Sequence, residues 1–261
     1  PASVMGSSLT IRKFKKDPLT IIDILRANTL DYDLAAFLWV CVEGLGVKPA
    51  NILISGGTGS GKTTLLNALG TFIQPQERII SIEDTAELNL PLKHWIRFEG
   101  RPPGLEGTGE LTIDIMTKNS LRMRPDRVMV GEIRHSEAFS LFTAMNTGHD
   151  GCMGTVHANS AKETIIRVTS PPMNVPEVML SGLDIIIVEQ RLHDKQKGTI
   201  RRITDISEVS GVLEHKTSTK MIYEYDHVED KIKRTKNEIN FVKILQRFTG
   251  WTNEWMAQEI E

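Results

Sequence analysis

Two cysteines stand in 261 residues, Cys41 and Cys152. Their separation of 111 positions (152 − 41) makes neither a disulfide framework nor a C-x-x-C metal pair. So little cysteine fits a reduced, cytoplasmic protein. Long apolar runs are missing too. The longest, Leu34–Val42, is about half of the roughly 18 residues that a membrane span needs, and it suits a buried helix. Neither sign of charge dominates: 31 basic residues face 33 acidic ones, for a net charge of −2. A chain built to neutralise phosphate backbones carries a clear basic surplus. Aromatics are 6%, and the three Tyr and four Trp do not cluster, which argues against a base-stacking channel. There is no internal repeat and no low-complexity tract, and no signal peptide is visible in this sequence. The chain opens Pro-Ala-Ser and not with Met, so it reads as a fragment. What is left is an ordinary globular balance, 40% hydrophobic and 25% charged. The length suits one large domain or one and a half.

The apolar pattern predicts an α/β fold. Residues 1–19 read as a basic arm with a short strand at Leu9–Ile11, closed by Pro18. Helical patterns follow from Leu19-Thr20 and over Asp31–Val42, although Phe37–Val42 also fits a buried strand. From residue 51 short apolar runs alternate with helices. Strands are expected at 51–55, 78–82, 94–98, 127–130, 152–157 and 184–189, and helices at 63–72, 113–122, 136–145 and 161–168. Alternation with wholly apolar strands means a mostly parallel sheet covered on both faces. After Gln190 the texture changes. Antiparallel strands are expected at Thr199–Val209 and Lys220–Tyr225, with charged connections at Asp194–Lys197 and Val228–Lys236. A helix over Asn240–Arg247 and a last one from Trp251-Thr252 complete a small C-terminal α+β appendage. The expected division is 1–19, arm and linker; 20–190, core; 191–261, appendage.

Gly56-Gly57-Thr58-Gly59-Ser60-Gly61-Lys62-Thr63-Thr64 fits the phosphate-loop pattern GxxxxGK[ST] without a mismatch, after an expected strand and at the opening of an expected helix. The glycines let successive backbone amides turn around a phosphate, and the helix N-terminus adds positive potential. Gly57, Thr58, Gly59, Ser60, Gly61 and Thr64 would form the cradle. Lys62 would reach the β- and γ-phosphates of ATP, and the Thr63 hydroxyl would bind Mg²⁺. Lys62-Thr63 is superfluous in a dinucleotide fingerprint, which argues against NAD. A phosphate-loop kinase would need a lid over a second substrate, and none is visible.

Phosphoryl transfer also needs a carboxylate that supports the metal and a group that orients the attacking water. Ligands bind outside the carboxyl ends of parallel strands. Two such ends carry acids: Glu83-Asp84-Thr85-Ala86-Glu87 after Arg78–Ile82, and Gly131-Glu132 after Arg127–Val130. The second resembles a Walker B strand with one departure, since Gly131 stands where an Asp usually binds Mg²⁺. Glu132 would act through a water, with Glu83, Asp84 or Glu87 sharing the work; Asp84 is equally a helix or turn cap. His157 ends the strand Cys152–Val156. It is either a γ-phosphate sensor or a capping His bonded to backbone. His149, Cys152 and His157 match no usual zinc spacing. Arg97, Arg101, Arg122, Arg124, Arg127 and Arg134 crowd the region. Arg12, Arg97 or Arg101 could be supplied to a neighbouring subunit's site.

Four blocks in order carry a resemblance: Gly56–Thr64, Ile82–Leu88, Val130–Arg134, and Thr147–His149 with Thr155–Ser160. The set resembles the Walker A, Asp box, atypical Walker B and His box of the secretion ATPases of type II secretion, type IV pili and type IV secretion. The Gly131-Glu132 departure is itself a trait of that family. Ser8-Leu9-Thr10-Ile11-Arg12-Lys13-Phe14, Arg101-Pro102-Pro103 with Glu106-Gly107, Leu121-Arg122-Met123-Arg124-Pro125-Asp126-Arg127, and Ala144–Gly151 are similar to the Tad-type pilus assembly ATPases (the CpaF group) and to archaeal pilus and archaellum motors.

The resemblance implies a RecA-like core in a homo-hexameric ring, joined by a linker near residues 14–20 to an N-terminal domain of which residues 1–14 would be the tail. It implies an ATP-hydrolysing motor for pilus assembly or secretion, acting on an inner-membrane platform protein from the cytoplasmic face. It makes Glu83, Glu87 and Glu132 the candidate catalytic acids, and His149 and His157 sensors. Arg12 and the Arg97/Arg101 loop would close the site. The family's four-cysteine zinc insert is not present, so no structural metal is expected. The rival reading is a nucleic-acid-translocating motor on the same fold; no stable nucleic-acid partner is expected.

Overall fold

The computed structural model describes residues 6–11, 13, 17–213 and 216–252. Arg12, and the last helix expected beyond Thr252, lie outside the described residues. Leu9–Ile11 is not a strand: it makes no ladder, and Leu9 and Ile11 are exposed. Leu9-Thr10-Ile11 has no partner strand among the described residues, and three residues without one do not make a sheet.

Two helices lead in. α1 (Ile21–Arg26) begins at a capping box in which Thr20 and Asp23 exchange side-chain-to-backbone bonds. α2 (Tyr32–Glu43) is capped by Asp31 and ends at the left-handed Gly44. Its Phe37–Val42 stretch is helical, because twelve residues with both caps in place favour a helix over a short buried strand.

Alternation then builds β1 (Ile52–Ser55), α3 (Lys62–Gly70), β2 (Ile79–Glu83), β3 (Trp95–Glu99), α4 (Ile113–Ser120), β4 (Arg127–Ile133), α5 (Glu137–Asn146), β5 (Met153–Val156) and α6 (Ala161–Thr169). After them come β6 (Ile185–Asp194), β7 (Gly198–Leu213), β8 (Lys216–Asp226), β9 (Lys231–Arg234) and α7 (Asn240–Thr249). The nine strands form one sheet in the order β3-β2-β4-β5-β1-β6-β7-β8-β9. β3 through β6 run parallel, and β6 to β9 antiparallel. The ribbon strands are longer than the sequence pattern suggests. β9 occupies part of the expected Val228–Lys236 connection, since the Asp226–Asp230 turn brings Lys231–Arg234 back onto β8.

Two apolar layers cover the sheet. Ile52 and Ile54 face α2, α3 and α7, whereas Leu53 faces α4, α5 and α6. That alternation inside one apolar strand is what burial on both faces requires. α7 has no side-chain cap of its own; Glu208 of β7 accepts from the amides of Asn240 and Phe241 instead. No helix among the described residues is long and apolar enough to cross a membrane.

Candidate functional site

The carboxyl ends of the parallel strands place the motifs side by side. β1 runs into residues 56–61, and α3 starts at Lys62. Gly59 and Gly61 take φ of +72° and +119°, which side chains other than hydrogen strongly disfavour. Lys62 is buried, and its Nζ donates to the Gly57 carbonyl at 2.9 Å, folding the ammonium across the loop. Burial pushes its pKa down, helped by Arg134 and opposed by Glu132 and Glu189. Ser60 Oγ is buried with no hydrogen-bond partner among the described residues. An amide-lined concavity, a confined ammonium and an unpartnered hydroxyl fit a bound polyphosphate. The adjoining cavity of about 450 Å³ is lined by Gly59, Gly61, Lys62, Thr63, Thr64 and Glu87, with Leu19 and Ile24 from the α1 side.

Across the sheet from that loop, β4 and β5 fall out of step between Val130 and Ile133, where β4 holds one extra residue. Gly131 and Glu132 lie in this bulge, a device that re-aims a side chain beside functional sites. Glu132 lies between Arg134 and His157. Its Oε2 accepts from Arg134 Nη2 at 2.5 Å, and its Oε1 lies 2.7 Å from His157 Nε2. Arg134 also reaches Asp84, at 3.5 Å. Burial pulls the Glu132 carboxyl upward, but Arg134, His157 and Lys62 together hold it below the usual carboxylate range. His157 is held below the usual imidazole range, by burial first and Lys62 second, against Glu132.

Glu83 is almost fully buried. Its Oε1 accepts from the amides of Glu87 and Leu88, both at 2.9 Å, and Oε2 has no partner among the described residues. Burial raises its pKa against those two amides. A Cβ at Gly131 would sit 2.9 Å from Glu83 Cγ. The glycine in place of the usual Asp is thus where the neighbouring strand's glutamate passes.

The structure gathers Lys62, Thr63, Glu83, Asp84, Glu132 and His157 at one end of the sheet, with Glu87 on the cavity wall. It does not gather the others. His149 precedes β5 and packs on Thr147, at the opposite strand end from His157. Arg97 donates to the Leu88 carbonyl and lies over Trp95. Arg101 donates to Gly109 and lines a separate groove with Asp84 and Arg134. Arg127 is buried against Glu77 and the Val42 carbonyl. Arg134 and Glu189 are the residues that sequence reasoning leaves unassigned. Glu189 carries the same signal as Glu83 and Glu132, an acid closing an apolar run, but the sequence does not say that β6 lies beside the phosphate loop.

The family described as type II/IV secretion system protein matches residues 1–246. The chain belongs to that family. An uncharacterized protein of Methanocaldococcus jannaschii is 33% identical, with 88% of this chain and 56% of that protein aligned. VirB11 of Agrobacterium fabrum is 43% identical over 48% of this chain and 35% of its own. Among solved structures, the VirB11 ATPase of the Brucella suis type IV secretion system, in complex with sulphate, superposes with a TM-score of 0.55. It is 26% identical and covers 71% of this chain and 54% of its own. The chain spans about half the length of the curated relatives it matches.

Proposed function

We propose that this chain is the ATP-hydrolysing motor domain of a type II/IV machine, assembling a Tad-like pilus or driving secretion. In this reading residues 20–190 are a RecA-like core, residues 1–19 the tail of an N-terminal domain and its linker, and residues 191–261 the appendage. Six copies form a ring on the cytoplasmic face of the inner membrane and push on a platform protein. The observation that carries the reading is the phosphate loop, with Lys62 folded across it, facing a Glu132–His157 contact of 2.7 Å. Relatives named for conjugal transfer and type IV secretion support the machine class.

Each residue has a physical task. The amides of 57–64 and the Lys62 ammonium neutralise the triphosphate tail. Mg²⁺ would supply charge neutralisation between the phosphates, held by Thr63 directly and by Glu83, Asp84 or Glu132 through water. Glu132 orients and deprotonates the attacking water. Its lowered pKa keeps it ionised, and Glu83 and Glu87 back it. His157 touches Glu132 and reads the presence of the γ-phosphate. Arg101, from its separate groove, and Arg12 serve the next subunit. Steady-state phosphate release should rise with protein concentration as rings form. Lys62→Ala should abolish it while circular dichroism stays unchanged. Normal hydrolysis by that variant would overturn the assignment.

A further inference from the structure

The strand beside the phosphate loop carries an acid that the tasks above leave unused. β6 lies parallel to β1 with Val188 opposite Ser55, so the residue after Val188 comes level with the start of the loop. That residue is Glu189, 3% exposed. Here the β6–β7 ladder is interrupted: Val188 pairs with Asp205 and Glu189 with Ile203, so β7 holds Thr204 as an extra residue opposite this step, a bulge that bends the ribbon where it passes the loop. It closes on the loop twice. A Cβ at Gly56 would stand 2.1 Å from the Glu189 carbonyl oxygen, and one at Gly61 would stand 2.3 Å from its Oε1. The backbone at 189 leaves no room for a side chain at position 56, and the Glu189 carboxyl leaves none at position 61. Its Oε2 is buried with no hydrogen-bond partner among the described residues, and the side chain lines the same cavity as Lys62 and Thr64.

The charges around it come from every side. Lys62 of α3 and Arg201 of β7 favour its ionised form. Arg201 donates from Nε to the Gly59 carbonyl at 3.0 Å, and Arg191 of β6 approaches Gly59 as well. Asp23 of α1 and Glu87 from the β2–β3 connection line the cavity with opposite sign. Neither cation makes a hydrogen bond to the carboxyl, and burial outweighs both, carrying its pKa up to about 8.

We propose that Glu189 is a positioning residue for the phosphate loop: its uncharged carboxyl supports the loop at Gly61, and a charge on it weakens nucleotide binding. The inference rests on the nucleotide-binding reading above. A neutral acid leaves the amide cradle positive. Its anion puts a negative charge beside the very amides that phosphates need. By linkage, bound nucleotide holds the proton on, so binding above pH 8 takes one up.

The test is titration of fluorescent ADP from pH 6.5 to 9.5 at fixed ionic strength, with wild type and Glu189→Gln. Wild-type affinity should fall by about tenfold between pH 7 and 9. Glu189→Gln should match wild type at pH 7 and lose under about threefold over the range. Calorimetry of wild type at pH 8.5, in two buffers of different ionisation enthalpy, should register proton uptake, whether or not the variant folds. Parallel pH profiles would leave the fall to Lys62 and overturn the inference. So would lost binding by a folded Glu189→Gln at pH 7, or no proton uptake. If wild type binds no ADP, or Lys62→Ala binds as tightly as wild type, the nucleotide reading falls with it.

Discussion

Glu132 shows how much one side chain's surroundings decide. Burial alone would raise its pKa and blunt it as an anion. Arg134, the largest opposing influence, reverses that. Glu132→Gln keeps the size and the contact with Arg134 but removes the charge and the proton acceptor. Hydrolysis should drop by about 10²–10⁴-fold, while ADP affinity stays within about threefold. Phosphate release and nucleotide titration on one preparation check this. Much of this scale is legible in sequence. The phosphate loop declares itself because its chemistry is local: consecutive amides, an ammonium one step into the helix, and a hydroxyl next to it. Gly131 is legible only as an oddity. Its reason, the passage of Glu83 Cγ, comes from a residue 48 positions away (131 − 83) on another strand.

At the scale of elements, the antiparallel ribbon is tied down by one buried cation. Arg202 is 3% exposed, and it donates to both oxygens of Asp230, at 2.6 and 2.9 Å, and to the Ala27 carbonyl. Lys197 and Tyr225 converge on the same carboxylate. Arg202 foremost holds the Asp230 carboxyl well below its usual range. Its folded pKa is depressed, so the stability it gives is present above the unfolded value of about 4 and is lost as pH falls further. Asp230 has a φ of +52°, which Asn also tolerates, so Asp230→Asn removes charge without new strain. That variant should melt lower than wild type at pH 7, by a gap that narrows steadily as pH falls below about 4. Thermal melts across pH measure it. The ribbon's strands are visible in sequence, but their length and β9 are not. Charged residues such as Lys231 and Arg234 look like loop until the turn folds them back as an edge strand.

For the whole molecule, the sheet is knitted at its other end by two polar residues 133 positions apart. Asn51 donates its amide to Asp184 Oδ2 at 2.8 Å and its side-chain NH₂ to the Gly182 carbonyl, and its Oδ1 accepts from the Cys152 amide. Three strands, β5, β1 and β6, are registered by that pair. Burial pushes the Asp184 carboxyl up to about 6 despite the Asn51 amide. Here the folded value lies above the unfolded one, about 4, so the native state keeps the extra proton and stability falls as pH rises from about 4 to about 6. Asp184→Asn escapes that loss. Its melting temperature relative to wild type should be level at pH 4 and gain through pH 6, then hold; a gain already complete at pH 4 would contradict the sign.

The sequence by itself determined the phosphate-loop motif and the class of architecture, because glycine-rich loops and helical or two-residue periodicities are set by neighbours along the chain. It also determined which strand ends carry acids. Only the tertiary structure decided which of those ends meet. The order β2-β4-β5-β1-β6 brings Glu83, Glu132, His157, Lys62 and Glu189 into one row, and His149, which precedes β5, falls at the opposite strand end. That strand order is fixed by pairing between residues 23 (156 − 133) to 133 (185 − 52) positions apart, and no local pattern encodes it.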